Sequence, residues 1–162
     1  MTNNFLFEKD LAAKKIHVVR EFNAPVEKVW KAWTDPGLLE KWWGPKPWTA
    51  ITKIMDFTAG GTWLYYMVGP DSQKHWSCSK FTAIEYGSRF AADTVFCDEH
   101  GAATPGAKAG HWDNKFVAAG DKTKVVVDIY FDEEATIKMM VERGFEGGFT
   151  MGLNQLEELL AL

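Results

Sequence analysis

His75-x-x-Cys78 and Cys97-x-x-His100 are the first places in this 162-residue chain where residue type and spacing suggest chemistry. Both have the separation of a zinc-ligand pair, which works only when the two side chains converge from a tight knuckle. His75 and Cys78 fall in a run read as a strand, where positions three apart point to opposite faces. With His100 in a loop, only the second pair could converge, so both cysteines read as core or edge residues. No metal and no cofactor is expected. His111 and Asp113 flank Trp112 on one strand face, a spacing that suits an acid–base pair at a cavity mouth, although such strand residues are more often simply solvated. No G-x-S-x-G elbow is present, and Gly60-Gly61 reads as a turn because no helix with Lys-Ser/Thr follows it. No catalytic residue is assigned.

The residues that could bind rather than react are apolar. Aromatics are 14 % of the chain, with eight Trp and eleven Phe, more than a minimal core needs. Large rigid rings fill a core or line a cavity for an apolar ligand equally well. The candidate lining residues are Trp63, Tyr65 and Met67 on one strand, Phe96 on another, Trp112 and Phe116 with shared parity, and Phe145 and Phe149 on the last helix. Tyr65 and Trp112 would each add a hydrogen-bond donor to orient a ligand.

The elements that must position these residues can be read in order. Ile16 to Phe22 is rich in branched and aromatic residues, as a strand prefers. Asn23 is placed to cap a helix whose first turn accepts Pro25. Val26, Val29, Trp30 and Trp33 then form one apolar stripe. Asp35-Pro36-Gly37 ends that helix and begins a second, which carries Leu38, Leu39, Trp42 and Trp43 before Gly44-Pro45 stops it. One of the two tryptophans is expected to seal this helix on the sheet. The other diverges by about 100°, towards a pocket entrance or a partner surface, although packing is the commoner role for both. Six strand-like runs follow at 48–57, 62–68, 75–84, 89–97, 112–119 and 123–131, separated by Gly- and Asp-rich turns. The Gly- and Ala-rich stretch 98–110 is a mobile loop or the rim of an opening. From Glu133 to Leu162, apolar residues recur at helical spacing, which predicts one helix of up to about 30 residues. Gly144, Gly148 and Gly152 stand four apart on it, a pattern that fits close approach to the sheet, vacant volume or a kink.

The whole reads as one α+β domain over 1–162, a curved antiparallel sheet of about six or seven strands wrapped around a long C-terminal helix. A net charge of −4 and scattered basic residues argue against nucleic acid as the main partner. No stretch has the ~20 apolar residues of a membrane span, and the first ten residues do not read as a signal peptide. Two cysteines make no disulfide framework, so a cytoplasmic setting is expected.

The segments REFNAPVEKVWKAWTDPGLLEKWWGP, DFTAGGTWLYYM and MVERGFEGGFTMGLNQLEELLA together resemble the activator-of-HSP-90-ATPase homologues of the START-like, birch-pollen-allergen-like (SRPBCC) superfamily, over about residues 16–161. The family often has a basic residue ahead of the double glycine, where this chain has Thr58-Ala59. The resemblance implies a helix-grip fold and a hydrophobic cavity between sheet and long helix. It implies no single reaction, because superfamily members bind lipids, cyclise polyketides or serve as co-chaperone domains. Three readings stay open. The first is non-catalytic binding of a hydrophobic small molecule; the second is a co-chaperone-like or stress-related module that contacts a chaperone or other protein; the third is a cyclase- or hydrolase-type enzyme using Tyr65 or His111.

Overall fold

A computed structural model describes residues 4–162. Strand β1 (Phe5–Asp10) pairs with β2 (Lys15–Phe22), and helices α1 (Val26–Thr34) and α2 (Pro36–Trp42) follow. Six strands come next: β3 (Thr49–Met55), β4 (Thr62–Val68), β5 (Lys74–Glu85), β6 (Arg89–Phe96), β7 (Gly110–Ala119) and β8 (Lys122–Tyr130). The chain ends with α3 (Glu134–Glu142) and α4 (Phe145–Leu160). All pairings are antiparallel, in the order β1-β2-β8-β7-β6-β5-β4-β3, so β3 to β8 form a meander with β2 and β1 added at its open side. This is the helix-grip arrangement, with eight strands rather than six or seven. The extra strand is β1, whose short FLFEKD run is mostly exposed and carries no buried alternation to reveal it. Among the described residues, no helix is long and apolar enough to cross a membrane.

Strand alternation sets the faces. On β2, Ile16, Val18, Arg20 and Phe22 point inward and are buried, with Lys15, His17, Val19 and Glu21 turned outward. On β8, Val125, Val127 and Ile129 extend the same inner surface. Helix α1 has no side-chain cap; its cap position is Pro25, already extended at ψ 155, so Asn23 does not cap it. Asp35 does cap α2, accepting from Gly37 N at 2.8 Å and Leu38 N at 3.3 Å. Trp42 is fully buried and its indole N–H donates to the Ala32 carbonyl at 2.9 Å, which ties α2 to α1.

The single C-terminal helix is corrected to two. Gly144, at φ 85, takes the left-handed conformation that ends helices, and its N–H bonds the Val141 carbonyl at 3.0 Å. The spacing of apolar residues continues across this break, which is why periodicity alone read through it. Helix α4, at ~1.5 Å per residue about 24 Å long, is the rod that the sheet grips. At Gly152 it approaches α2 rather than the sheet: a Cβ there would lie 3.3 Å from the Trp42 carbonyl oxygen.

A candidate ligand cavity

The concave side of the sheet is divided in two. At one end, Trp30 meets Phe57, Phe90 and Phe116 edge-on at ring distances of 5.9, 5.8 and 5.1 Å, and Trp33 meets Trp42 at 4.9 Å. These rings interlock and fill the space. A void of only about 30 Å³, room for one or two water molecules, remains beside them, between Trp33, Trp43, Trp63 and Trp112.

The other end is hollow. A cavity of about 860 Å³ lies between β4–β7 and the two C-terminal helices, rimmed by the loop from Thr104 to Lys108. Its sheet wall carries Tyr65 and Met67 from β4, His75 and Ser77 from β5, Phe96 from β6 and Trp112 from β7. The helical wall comprises Thr136, Met139 and Met140 of α3 with Phe145, Gly148 and Phe149 of α4. Phe145 and Phe149 stack at 5.5 Å, one turn apart, and Trp112 stands edge-on to both at 6.2 and 5.6 Å. At the mouth Phe96 is 57 % exposed. There Lys108 and Glu133 form an ion pair of 3.5 Å between the rim loop and the residue before α3.

Of the eight candidate lining residues, Tyr65, Met67, Phe96, Trp112, Phe145 and Phe149 are brought together around this cavity. Trp63 stacks on Tyr65 at 4.0 Å but faces the small void, and Phe116 is buried among the rings of the filled end. Parity put Trp112 and Phe116 on one face correctly. It could not show that the four-residue step between them crosses from the hollow end to the filled one. Trp43, Ser77, Met139 and Met140 were not among the candidates. Ser77 lies directly opposite Tyr65 in the β4–β5 register, which is known only once the strands are paired.

Trp43 is neither exposed nor simply packed. Its indole N–H donates to the Tyr65 hydroxyl at 3.1 Å, and its ring lies 5.8 Å from Trp112. Burial pushes the Tyr65 phenol up from its ordinary value, an effect partly offset by hydrogen bonds from Trp43 and Ser77. The phenol therefore stays protonated around neutral pH.

The reactive-looking residues are placed elsewhere. His111 and Asp113 share a face, as their spacing requires, but it is the convex one, and they do not pair with each other. His111 Nδ1 lies 2.7 Å from Asp93 and Nε2 lies 3.4 Å from Asp132, while Arg89 holds Asp113 at 2.8 Å. His75 faces the cavity with its ring 5.3 Å from Trp48, and Cys78, on the opposite face of β5, is not beside it. Cys97 N–H bonds the Trp76 carbonyl at 3.2 Å, and burial raises its thiol to about 11, which makes it a poor nucleophile. His100 is exposed next to Glu99.

A curved antiparallel sheet closed over an apolar cavity by a C-terminal helix defines a protein of the START-like, helix-grip class. More narrowly, the chain belongs to the family described as Activator of Hsp90 ATPase homolog 1-like protein, whose profile matches residues 23–161. That family fits a ligand-binding or a co-chaperone-like role. The chain is 35 % identical to a protein from Arthrobacter aurescens of known solution structure, over 96 % of this chain and 91 % of that one, with a TM-score of 0.90. A protein from Staphylococcus epidermidis is 26 % identical over 96 % of this chain and 93 % of its own, with a TM-score of 0.84. A Mycobacterium smegmatis protein is 25 % identical over 98 % of both chains, with a TM-score of 0.87. No functionally curated protein matches the chain.

Proposed function

We propose that this protein binds a hydrophobic small molecule in the cavity between its sheet and its C-terminal helices and does so without transforming it. One observation carries the proposal: the hollow of about 860 Å³, walled by rings and methionines. Pockets that enclose drug-sized ligands span roughly 300–1,000 Å³ and have this lining. An open-mouthed hollow of this size and lining, set beside a half of the core whose rings interlock, supports a site for a guest. The two methionines of α3 are flexible enough to fit guests of differing outline. A thermal-shift screen of fatty acids, sterols and aromatic metabolites tests the reading. A ligand present at 100 times its Kd adds about 2.7 kcal/mol, which for a chain of this size raises Tm by roughly 5–11 °C. A well-folded protein that no member of the screen stabilises would end the proposal.

The family description favours one other reading, a module that docks on a chaperone. Such a role needs an exposed apolar patch, and the tryptophan pair does not provide it, since Trp42 is fully buried and Trp43 turns into the cavity. Failure to co-purify with the chaperone or to stimulate its ATP hydrolysis would count against that role. For an enzymatic reading, Tyr65 is left at the cavity; His111 is on the other side of the sheet.

A further inference from the structure

Polar side chains enter the cavity wall at several places, His75 and Thr136 among them, and at Tyr65 and Ser77 the hydrogen-bond inventory does not balance. Trp43 N–H points at the Tyr65 oxygen, and the Ser77 hydroxyl stands across the strand pair from the same phenol. This short chain holds three donor hydrogens, one indole N–H and two O–H, but only two contacts within it to use them. Whichever way the two hydroxyls turn, one proton is left over, and both Tyr65 and Ser77 line the cavity. The Trp112 indole N–H also has no hydrogen-bond partner among the described residues, but it lies on the Gly110 side of the wall, 3.4 Å from where a Cβ on that residue would sit. Trp43 fixes the phenol from one side through its N–H, which leaves the Tyr65 and Ser77 protons to the cavity.

We infer that the Trp43–Tyr65–Ser77 chain forms a donor site for one neutral acceptor oxygen, so that the guest is an apolar, ring-bearing molecule with a carbonyl group. This rests on the ligand-binding reading above and specifies the chemistry of the same cavity. The carbonyl is preferred to a carboxylate because of where the cations lie. Lys108 and Arg143 line the cavity but both are exposed at its edge, and Lys108 is already paired with Glu133. Among the described residues no Lys or Arg stands beside the buried phenol, and an anion taken to that depth would lose its hydration without a fixed counter-charge. A carbonyl loses much less and accepts what the wall donates. Aromatic guests suit the edge-on and stacked rings of Trp112, Phe145 and Phe149.

The test compares benzophenone with diphenylmethane, two-ring molecules that differ in the carbonyl oxygen. Each displaces 1-anilinonaphthalene-8-sulfonate from the wild-type protein and from a Tyr65→Phe/Ser77→Ala double variant. The wild type should bind benzophenone roughly tenfold or more tightly than diphenylmethane, because the hydrocarbon leaves buried donors unpaired. The double variant should lose most of that preference and keep its affinity for diphenylmethane. The infrared carbonyl stretch of benzophenone bound to the wild type should fall to lower wavenumber, a readout that survives even if the variant does not fold. Equal affinity for the two probes in the wild type, or an unshifted stretch, overturns the donor site and leaves hydrophobic binding standing. If the dye and both probes fail to bind a folded protein, the inference falls together with the reading beneath it.

Discussion

Gly144, Gly148 and Gly152 are one pattern in the sequence and three different situations in the structure, so alanine at each position should move stability differently. Alanine replaces glycine in a helix interior with a gain of about 0.8–1 kcal/mol. At Gly148 nothing opposes this, because the nearest atom to the new Cβ is the Pro45 Cγ at 3.7 Å, an ordinary contact. Tm should rise by about 2–4 °C. At Gly152 the Cβ would sit 3.3 Å from the Trp42 carbonyl oxygen. That oxygen cannot easily give way, since it accepts from Gln155 Nε2 at 3.0 Å and belongs to the buried end of α2. Overpacking costs about 1–3 kcal/mol, enough to cancel the gain and lower Tm by up to several degrees. At Gly144 there is open space but φ is 85, and the left-handed conformation costs an L-residue about 1–2 kcal/mol. Gly147, also with nothing within 4 Å of its Cβ position and exposed, is the control that gains the helix term without touching the cavity. Circular-dichroism melts of the four variants give the order Gly147→Ala and Gly148→Ala above wild type, Gly152→Ala and Gly144→Ala below it. A Gly148→Leu variant would then extend a side chain into the hollow and should keep its fold while losing dye binding. If Gly148→Ala and Gly152→Ala shifted Tm by the same amount in the same direction, the distinction between vacant and occupied helix face would be refuted.

Arg20 is buried between the Phe5 and Phe22 rings, 5.1 and 5.6 Å from them, and donates to Asn154 at 2.9 Å and Glu157 at 3.3 Å. Its Nε has no partner, so much of its value is packing of the stem. Urea unfolding should show Arg20→Met within about 1 kcal/mol of wild type and Arg20→Ala down by about 2–3 kcal/mol; equal losses would mean that charge dominates. At His111 the hydrogen bond to Asp93, and secondarily the one to Asp132, raises the folded-state value above 6.5. The folded protein therefore holds this proton more tightly than the unfolded chain. The stabilisation is complete below pH 6.5 and is lost as pH rises through the higher folded value. The imidazole is 39 % exposed, which limits the effect to a few tenths of a kcal/mol. The Tm gap between wild type and His111→Gln should narrow between pH 5.5 and pH 9; a gap that widened would reverse the argument.

How much of this was legible depends on whether the signal was local. The β2–α1–α2 opening could be read because its punctuation is chemical: Asp35 caps as its type suggests and Pro36 starts the helix it precedes. The six middle strands were delimited by their turns to within two residues or so. Strand β1 was missed because it is an edge strand whose pairing with β2, not its own pattern, makes it a strand. Among the site residues, parity reported which face a side chain takes but not its position along the trough. Hence Phe116 and Trp63 were grouped with the cavity walls, and Trp43, whose role follows from a contact 22 residues away, was not. The His111–Asp113 pair failed for a related reason: sharing a face does not say which face, and cross-strand partners on β6 claimed both residues.

The break at Gly144 connects the least accurate sequence expectation to the site itself. A continuous helix from Glu133 would have carried its first turns along the α4 axis, at ~1.5 Å per residue. Because the chain turns at Gly144, α3 leaves that axis and presents Thr136, Met139, Met140 and Arg143 to the cavity, opposite Tyr65, Met67 and Ser77. Residues three and four apart on α3 fall on one face, so the apolar spacing that suggested a single gripping helix is satisfied by a short roof instead. The filled end, where Trp30, Trp33, Trp42 and Phe116 interlock, then supplies stability that the hollow end does not. A protein that leaves about 860 Å³ unfilled gains from concentrating its rings elsewhere, and five of the eight tryptophans serve these two uses: Trp30, Trp33 and Trp42 packed at one end, and Trp43 and Trp112 held at the boundary where packing gives way to binding.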